Sequence, residues 1–115
     1  MKARIVRSAC LEGRVKPGHA DQFDAFILEQ IAPLMKRFPG VRATRILRSL
    51  EVEDDGPPLY MVFESVYDSV DAMRAAFADP VRQELRQRLG EVMPLFEGRM
   101  FHITQMLSAD ESLRD

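Results

Sequence analysis

The sequence predicts one α+β domain whose elements run strand, helix, strand, strand, helix, strand. Three observations lead there. Phe23, Phe26, Ile27, Ile31, Leu34, Met35 and Phe38 recur at helical spacing, with Asp24, Glu29, Gln30 and Lys36 left for the outer face. Residues 41–52 and 59–66 are rich in β-formers and are joined by the polar turn Glu53-Asp54-Asp55-Gly56-Pro57-Pro58. The length of 115 residues suits one domain and leaves no room for a second.

The first strand is expected over Arg4 to Val15, stopped by Lys16-Pro17-Gly18. In the helix that follows, Pro33 removes a backbone donor and should kink it or end its regular part. Pro39-Gly40 terminates it. Strands over residues 41–52 and 59–66 make a hairpin. Asp68-Ser69 offers an N-cap to a segment with Val70, Met73 and Phe77 at helical spacing. Asp79-Pro80 restarts a helix with the stripe Val81, Leu85 and Leu89, which Gly90 should end or break. The last strand covers Arg99 to Leu107. The domain thus spans residues 1–107, with a polar C-terminal tail at 108–115. Right-handed crossovers convert this order into a four-stranded antiparallel sheet with both helices on one face. The other face is bare, and so small a domain gains by burying it against a partner.

Composition removes several functions. Sixteen Lys and Arg against eighteen Asp and Glu leave a net charge of −2, which argues against nucleic acid as a partner. Arg42, Arg45 and Arg48 read as solvated or ion-paired, because spacing three on a strand alternates faces. Cys10 is the single cysteine and reads as a small buried hydrophobe. No signal peptide or membrane-length apolar run is visible, so a reduced, cytoplasmic setting is expected and no membrane partner. His19 and His102 have no metal-ligand spacing, and no glycine-rich phosphate loop occurs. Neither a metal nor another cofactor is expected. The seven methionines read as adaptable packing, with Met35, Met61 and Met73 at core positions. His19, in the turn before the first helix, suits an exposed or capping role.

Two stretches carry a resemblance. Gly13-Arg14-Val15-Lys16-Pro17-Gly18, followed by a helix from near Asp21 to Phe38-Pro39-Gly40-Val41, resembles the opening half of the ferredoxin-like, dimeric α/β-barrel superfamily. Tyr60-Met61-Val62-Phe63-Glu64-Ser65, Asp68-Ser69-Val70-Asp71-Ala72-Met73 and Phe77-Ala78-Asp79-Pro80 resemble its second half. Among the branches, the sequence is most similar to EthD-like proteins and next to the antibiotic-biosynthesis monooxygenases. The resemblance covers roughly residues 5–107 and implies a homodimer in which two bare sheet faces close a barrel, with a pocket in each subunit. It does not choose a reaction. Asn and Trp are absent from the chain. The constellations of the haem-degrading and quinone-forming branches, which the resemblance associates with those residues, therefore cannot be carried over.

Strand alternation suggests which side chains face the barrel. Met61 and Phe63 belong beneath the helices, which turns Tyr60 and Glu64 toward the barrel. By the same reasoning Phe101 and Ile103 go beneath the helices, and His102 and Thr104 face inward. Arg7 is placed on the barrel side with Ile5 and Ala9. Arg45 or Arg48 joins them, and alternation does not decide which. The expected catalytic group is His102, Tyr60 and Glu64, with Arg7, Arg45 and Thr104 binding ligand. His102 and Tyr60 can together run proton abstraction or cyclisation, and Arg can hold a carboxylate or oxyanion. Glu64 can orient His102 or act as a base if burial raises its pKa.

The function expected is the binding of a small hydrophobic organic molecule, with cofactor-free acid–base or oxidative chemistry in a catabolic pathway. The alternative is a non-catalytic accessory or binding dimer of a degradation pathway.

Overall fold

A computed structural model describes residues 4–110. Strand β1 (Ile5–Val15) leads into helix α1 (Ala20–Phe26), a π-helical turn (Ile27–Ile31) and helix α2 (Ala32–Met35), which follow one another without a break. Strands β2 (Ala43–Arg48) and β3 (Leu59–Tyr67) form the hairpin. Helices α3 (Val70–Ala76) and α4 (Val81–Val92) and a 3₁₀ turn (Met93–Leu95) then return the chain to β4 (Phe96–Met106). The sheet is antiparallel in the order β2-β3-β1-β4, with the helices on one face. This is the expected ferredoxin-like βαββαβ arrangement. The last five residues of the expected tail, and the first three of the domain, lie outside the described residues.

Local chemistry explains the helix boundaries. Pro33 has no N–H to return to the preceding turn. Just before it the ladder widens, and the Ala32 N–H reaches back five residues to the Ile27 carbonyl. Ile27 and Ile31 both stay buried through this turn. Ser69 caps α3 by accepting the Ala72 N–H at 3.0 Å. Asp79 accepts the Val81 N–H at 2.9 Å and so starts α4. Gly90, expected to break α4, does not: the helix runs on to Val92. An exposed helix glycine costs only about 1 kcal/mol relative to alanine, and the half-buried Leu89 and buried Val92 on either side anchor the turn.

Two glycines are required where β1 and β4 approach. Gly13 and Gly98 are direct partners with φ of 139° and 148°. A Cβ on Gly13 would sit 2.1 Å from the Glu97 carbonyl oxygen, so no other residue fits.

The main core lies between sheet and helices. Leu11, Met61, Phe63 and Phe96 meet Phe23, Ile27, Ile31 and Met35 there. A second cluster, including Ile5, Tyr67, Phe38, Met73 and Val81, packs beneath α3 and the start of α4. Met61 and Phe63 thus lie under the helices as alternation predicts. The rest of that face follows from register, because directly paired residues point to the same side. Ala9 pairs with Phe63 and with His102, and Arg7 pairs with Ser65 and Thr104.

Several facing assignments are therefore reversed, those of Ile5 and Ala9 among them. Arg7, His102 and Thr104 lie on the helix side, and so does Tyr60. Phe101 and Ile103 lie on the open side, opposite the expectation. For β4 the reason is that apolar side chains were assumed to belong under the helices. The open face is itself apolar, carrying Val6, Val62, Val66, Phe101 and Ile103. Leu47 and Ile103 there are 47% and 42% exposed. Tyr60 departs because of a β-bulge: Leu11 pairs with Met61, but Glu12 pairs with Leu59, leaving Tyr60 as the extra residue. The bulge breaks alternation and sends Tyr60 to the same side as Met61.

Candidate functional site

A pocket of about 90 Å³ opens between the helix side of the sheet and the helix layer. The sheet contributes Arg7 and Ala9 from β1, Phe63, Ser65 and Tyr67 from β3, and Met100 and His102 from β4. The helices contribute Ile31 and Met35, then Leu85 and Leu89 of α4, with Phe38 and Phe77 from the connecting segments. Apolar walls with four convergent polar side chains, Arg7, Ser65, Tyr67 and His102, form a familiar kind of small-molecule site.

Tyr67 is the residue that sequence reasoning missed. It is 2% exposed and packs edge-on against Phe77, with ring centroids 6.5 Å apart. Among the described residues its hydroxyl has no hydrogen-bond partner, yet no described side-chain polar atom is sealed from solvent without one. The hydroxyl therefore opens onto the pocket that the side chain lines. Burial raises the Tyr67 pKa, and the Arg7 charge opposes that rise, so the phenol remains a proton donor near neutrality. A clue existed in Val66-Tyr67 at the end of β3, two residues beyond Ser65 on the same face as Phe63.

His102 sits on the edge strand opposite Ala9, with Arg7 two residues along on the same face of β1, and lines the same pocket. Its pKa is lowered, first by burial and then by the Arg7, Arg82 and Arg86 charges. The imidazole is consequently neutral at pH 7 and can accept a proton. Arg7 is itself lowered by burial and by Arg82, but a guanidinium remains charged. Its Cζ lies 4.4 Å from the Phe77 ring centre, and the Arg82 Cζ lies 4.5 Å from the same centre. Thr104 follows His102 on the helix side but is directed to Met73, its Oγ 3.9 Å from the Met73 sulfur.

The remaining expected residues lie elsewhere. The Tyr60 hydroxyl donates to Asp24 at 2.6 Å and accepts from the Arg48 Nε at 3.0 Å. Arg48 also reaches Asp24 at 2.9 Å. This triad ties the end of β2 and the bulge of β3 to α1. Burial and the Asp24 hydrogen bond both raise the Tyr60 pKa. Glu64 faces the open side and holds Arg45 through contacts of 2.6 and 2.8 Å. Arg45 is therefore the open-face arginine and Arg48 is not. Arg42 pairs with Asp68 at 2.6 Å, so all three arginines of that strand region are ion-paired, one of the two roles expected for them. Cys10 is buried on the open side, and burial followed by the Glu64 charge raises its pKa, which opposes a nucleophilic thiolate. His19 meets Gln22 at 3.1 Å, on the surface.

No family model and no curated protein matches the sequence. Solved structures do match. An ethyl tert-butyl ether D (EthD) family protein from Bacillus halodurans is 17% identical with a TM-score of 0.70, over 95% of this chain and 99% of that one. A protein proposed as an antibiotic biosynthesis monooxygenase from Bordetella bronchiseptica is 23% identical, TM-score 0.64, over 97% and 100% of the two chains. A monooxygenase from the gene ActVA-Orf6 of Streptomyces coelicolor, solved with the ligand nanaomycin D, is 18% identical, TM-score 0.68, over 98% and 94%. These likenesses establish the fold as the ferredoxin-like one of EthD-like and antibiotic-biosynthesis-monooxygenase-like proteins. No described helix is long and apolar enough to cross a membrane.

Proposed function

We propose that the chain binds a small, largely hydrophobic organic molecule between sheet and helices and moves a proton on it without a cofactor. The observation that carries this reading is the convergence of His102, Tyr67 and Arg7 on one apolar pocket. Neutral His102 takes a proton from an acidic C–H or O–H of the substrate. The Tyr67 O–H and the Arg7 guanidinium stabilise the enolate or phenolate oxygen that results. Apolar walls such as Phe63, Leu85 and Met100 exclude water and strengthen both contacts. The fold shared with a monooxygenase that holds an organic ligand supports the same direction. Glu64, Tyr60, Arg45 and Thr104 have no part in this reading: their partners lie outside the pocket.

The working unit is a homodimer joined through the open sheet face. Val62, Leu47, Phe101 and Ile103 form an apolar surface there that water disfavours, and the Arg45–Glu64 pair supplies a polar element beside it.

A screen of aromatic and enolisable compounds by thermal shift, followed by turnover assays on the hits, tests the proposal. His102→Ala should bind hits but lose at least a hundredfold in turnover. Unchanged turnover in that variant would remove His102 as the base. A binding or accessory dimer is the second reading, favoured by the absence of Asn and Trp. It stands if hits bind and wild type turns none over.

A further inference from the structure

The arginines among the described residues divide into two groups. Arg4, Arg14, Arg37, Arg42, Arg45, Arg48, Arg88 and Arg99 each reach a carboxylate within 3.5 Å. Arg7, Arg74, Arg82 and Arg86 reach none among the described residues. Arg74 stands apart on α3, whereas Arg7 lines the pocket, Arg82 lies against Phe77 of its wall, and Arg82 and Arg86 both act on His102. Arg82 and Arg86 lie one turn apart on α4, so they share a face of that helix. Arg7 and Arg82 both lie over the Phe77 ring, at 4.4 and 4.5 Å, and Phe77 lines the pocket. The Arg82 charge opposes that of Arg7, and like charges that act on one another cost free energy, more so where water is partly excluded. Eight of the twelve described arginines have a carboxylate partner, and of the four without one, three act on this pocket and its histidine. The Tyr67 side chain is buried but its hydroxyl, without a partner among the described residues, opens onto the pocket and offers a further donor there. No carboxylate contributes to the field at Arg7 or His102, whose environments are set by burial and by one another's positive neighbours.

We infer that the pocket takes an anion: a hydrophobic molecule bearing a carboxylate, whose charged end lies between Arg7 and Arg82 and accepts from Tyr67, and whose body rests against Phe77 and the apolar walls. Arg86 adds longer-range attraction at the mouth. This inference rests on the pocket being the binding site, and it narrows the substrate class to organic acids. A guanidinium fork suits a carboxylate because two parallel N–H donors match its two oxygens. The Phe77 ring holds the arginines in place through its face, which limits the ordering cost of binding.

Titration calorimetry with 1-naphthoate and with the uncharged 1-naphthamide separates the possibilities. Wild type should bind the carboxylate at least tenfold more tightly than the amide, and the preference should shrink as salt rises. Arg82→Gln, on a helix surface where folding is least at risk, should reduce the preference to less than threefold. Arg7→Gln should also reduce the preference to less than threefold, with circular dichroism reporting the fold. Tyr67→Phe should weaken the carboxylate more than the amide. Equal binding of the two compounds by wild type, or a preference that survives in Arg82→Gln and Arg7→Gln alike, overturns the anion inference and leaves the pocket intact as a site. Binding of neither compound by wild type overturns the pocket reading and this inference with it.

Discussion

The two faces of the sheet are built from the same strands, yet they solve opposite problems. At the pocket on the helix side, charge is left unpaired: Arg7 lines apolar walls beside a neutral His102, with no carboxylate at either. On the open side, charge is paired and the surface between is apolar, with Arg45 held by Glu64 and Leu47 and Ile103 nearly half exposed. An unpaired charge at the edge of low dielectric suits a ligand of opposite sign. A neutralised charge in an apolar surface suits a second copy of the same surface, because a self-complementary contact cannot tolerate excess charge of one sign. The difference separates the place where chemistry is expected from the place where assembly is.

The comparison can be broken most directly from the assembly side. Val62→Asp places a charge at the centre of the open face, beside Cys10 and Leu47 in the register. Self-association should weaken by at least a hundredfold in analytical ultracentrifugation, with the far-ultraviolet circular dichroism of a folded monomer. A wild-type monomer at micromolar concentration would remove the assembly role altogether.

Next in size are the aromatic deletions. Phe23→Ala, in the fully buried centre of the helix-side core, should cost about 3–5 kcal/mol in denaturant unfolding. Phe101→Ala on the open face should cost the isolated subunit far less and act instead on dimerisation. Similar losses of monomer stability from both would contradict the assignment of the faces.

The tyrosines give a finer contrast. Tyr60→Phe removes a hydroxyl bonded to Asp24 and Arg48 and should destabilise by about 1–2 kcal/mol while leaving ligand binding unchanged. Tyr67→Phe should leave stability nearly as it was and weaken binding. An exchange of these two effects would move the site toward the bulge of β3.

The smallest effect is the His102 titration. Burial and the Arg7, Arg82 and Arg86 charges lower its pKa in the folded protein, with the Tyr67 phenol neutral nearby. The unfolded chain then binds the proton more readily, so this group's contribution to stability falls as pH drops through the ordinary histidine value toward the lowered one. Imidazole proton resonances should titrate below 6.5 in the free protein. They should move upward on addition of 1-naphthoate, because the bound anion offsets the arginines. A free-protein titration above the ordinary value would show that an acid neighbours His102 after all.

Which of these features the residues themselves disclosed depends on the range of the interaction behind each. The helix from Ala20, its disturbance by Pro33, the caps at Ser69 and Asp79 and the hairpin all rest on interactions spanning a few residues. Periodicity and capping chemistry are therefore enough to read them. Spacing showed that Arg42, Arg45 and Arg48 form no single patch, but not which carboxylates they meet: Arg45 was expected to bind ligand and instead holds Glu64. Gly90 was misread because its cost is small beside the packing of Leu89 and Val92, which involves distant elements.

The order βαββαβ, the four strands and the burial of Met61 and Phe63 were thus determined by the sequence, since local propensity and handed connections leave few alternatives. Tertiary structure alone decided the candidate site. Alternation has a phase only relative to a known face, and on β4 both faces were plausible hosts for apolar side chains. The bulge opposite Glu12 shifted Tyr60 by one position, and no local pattern marks that slip. The meeting of Arg7, Tyr67 and His102 joins three strands, with Arg82 added from a helix, across separations that no local spacing records. Only the register of β1 with both of its neighbours brings them to one pocket.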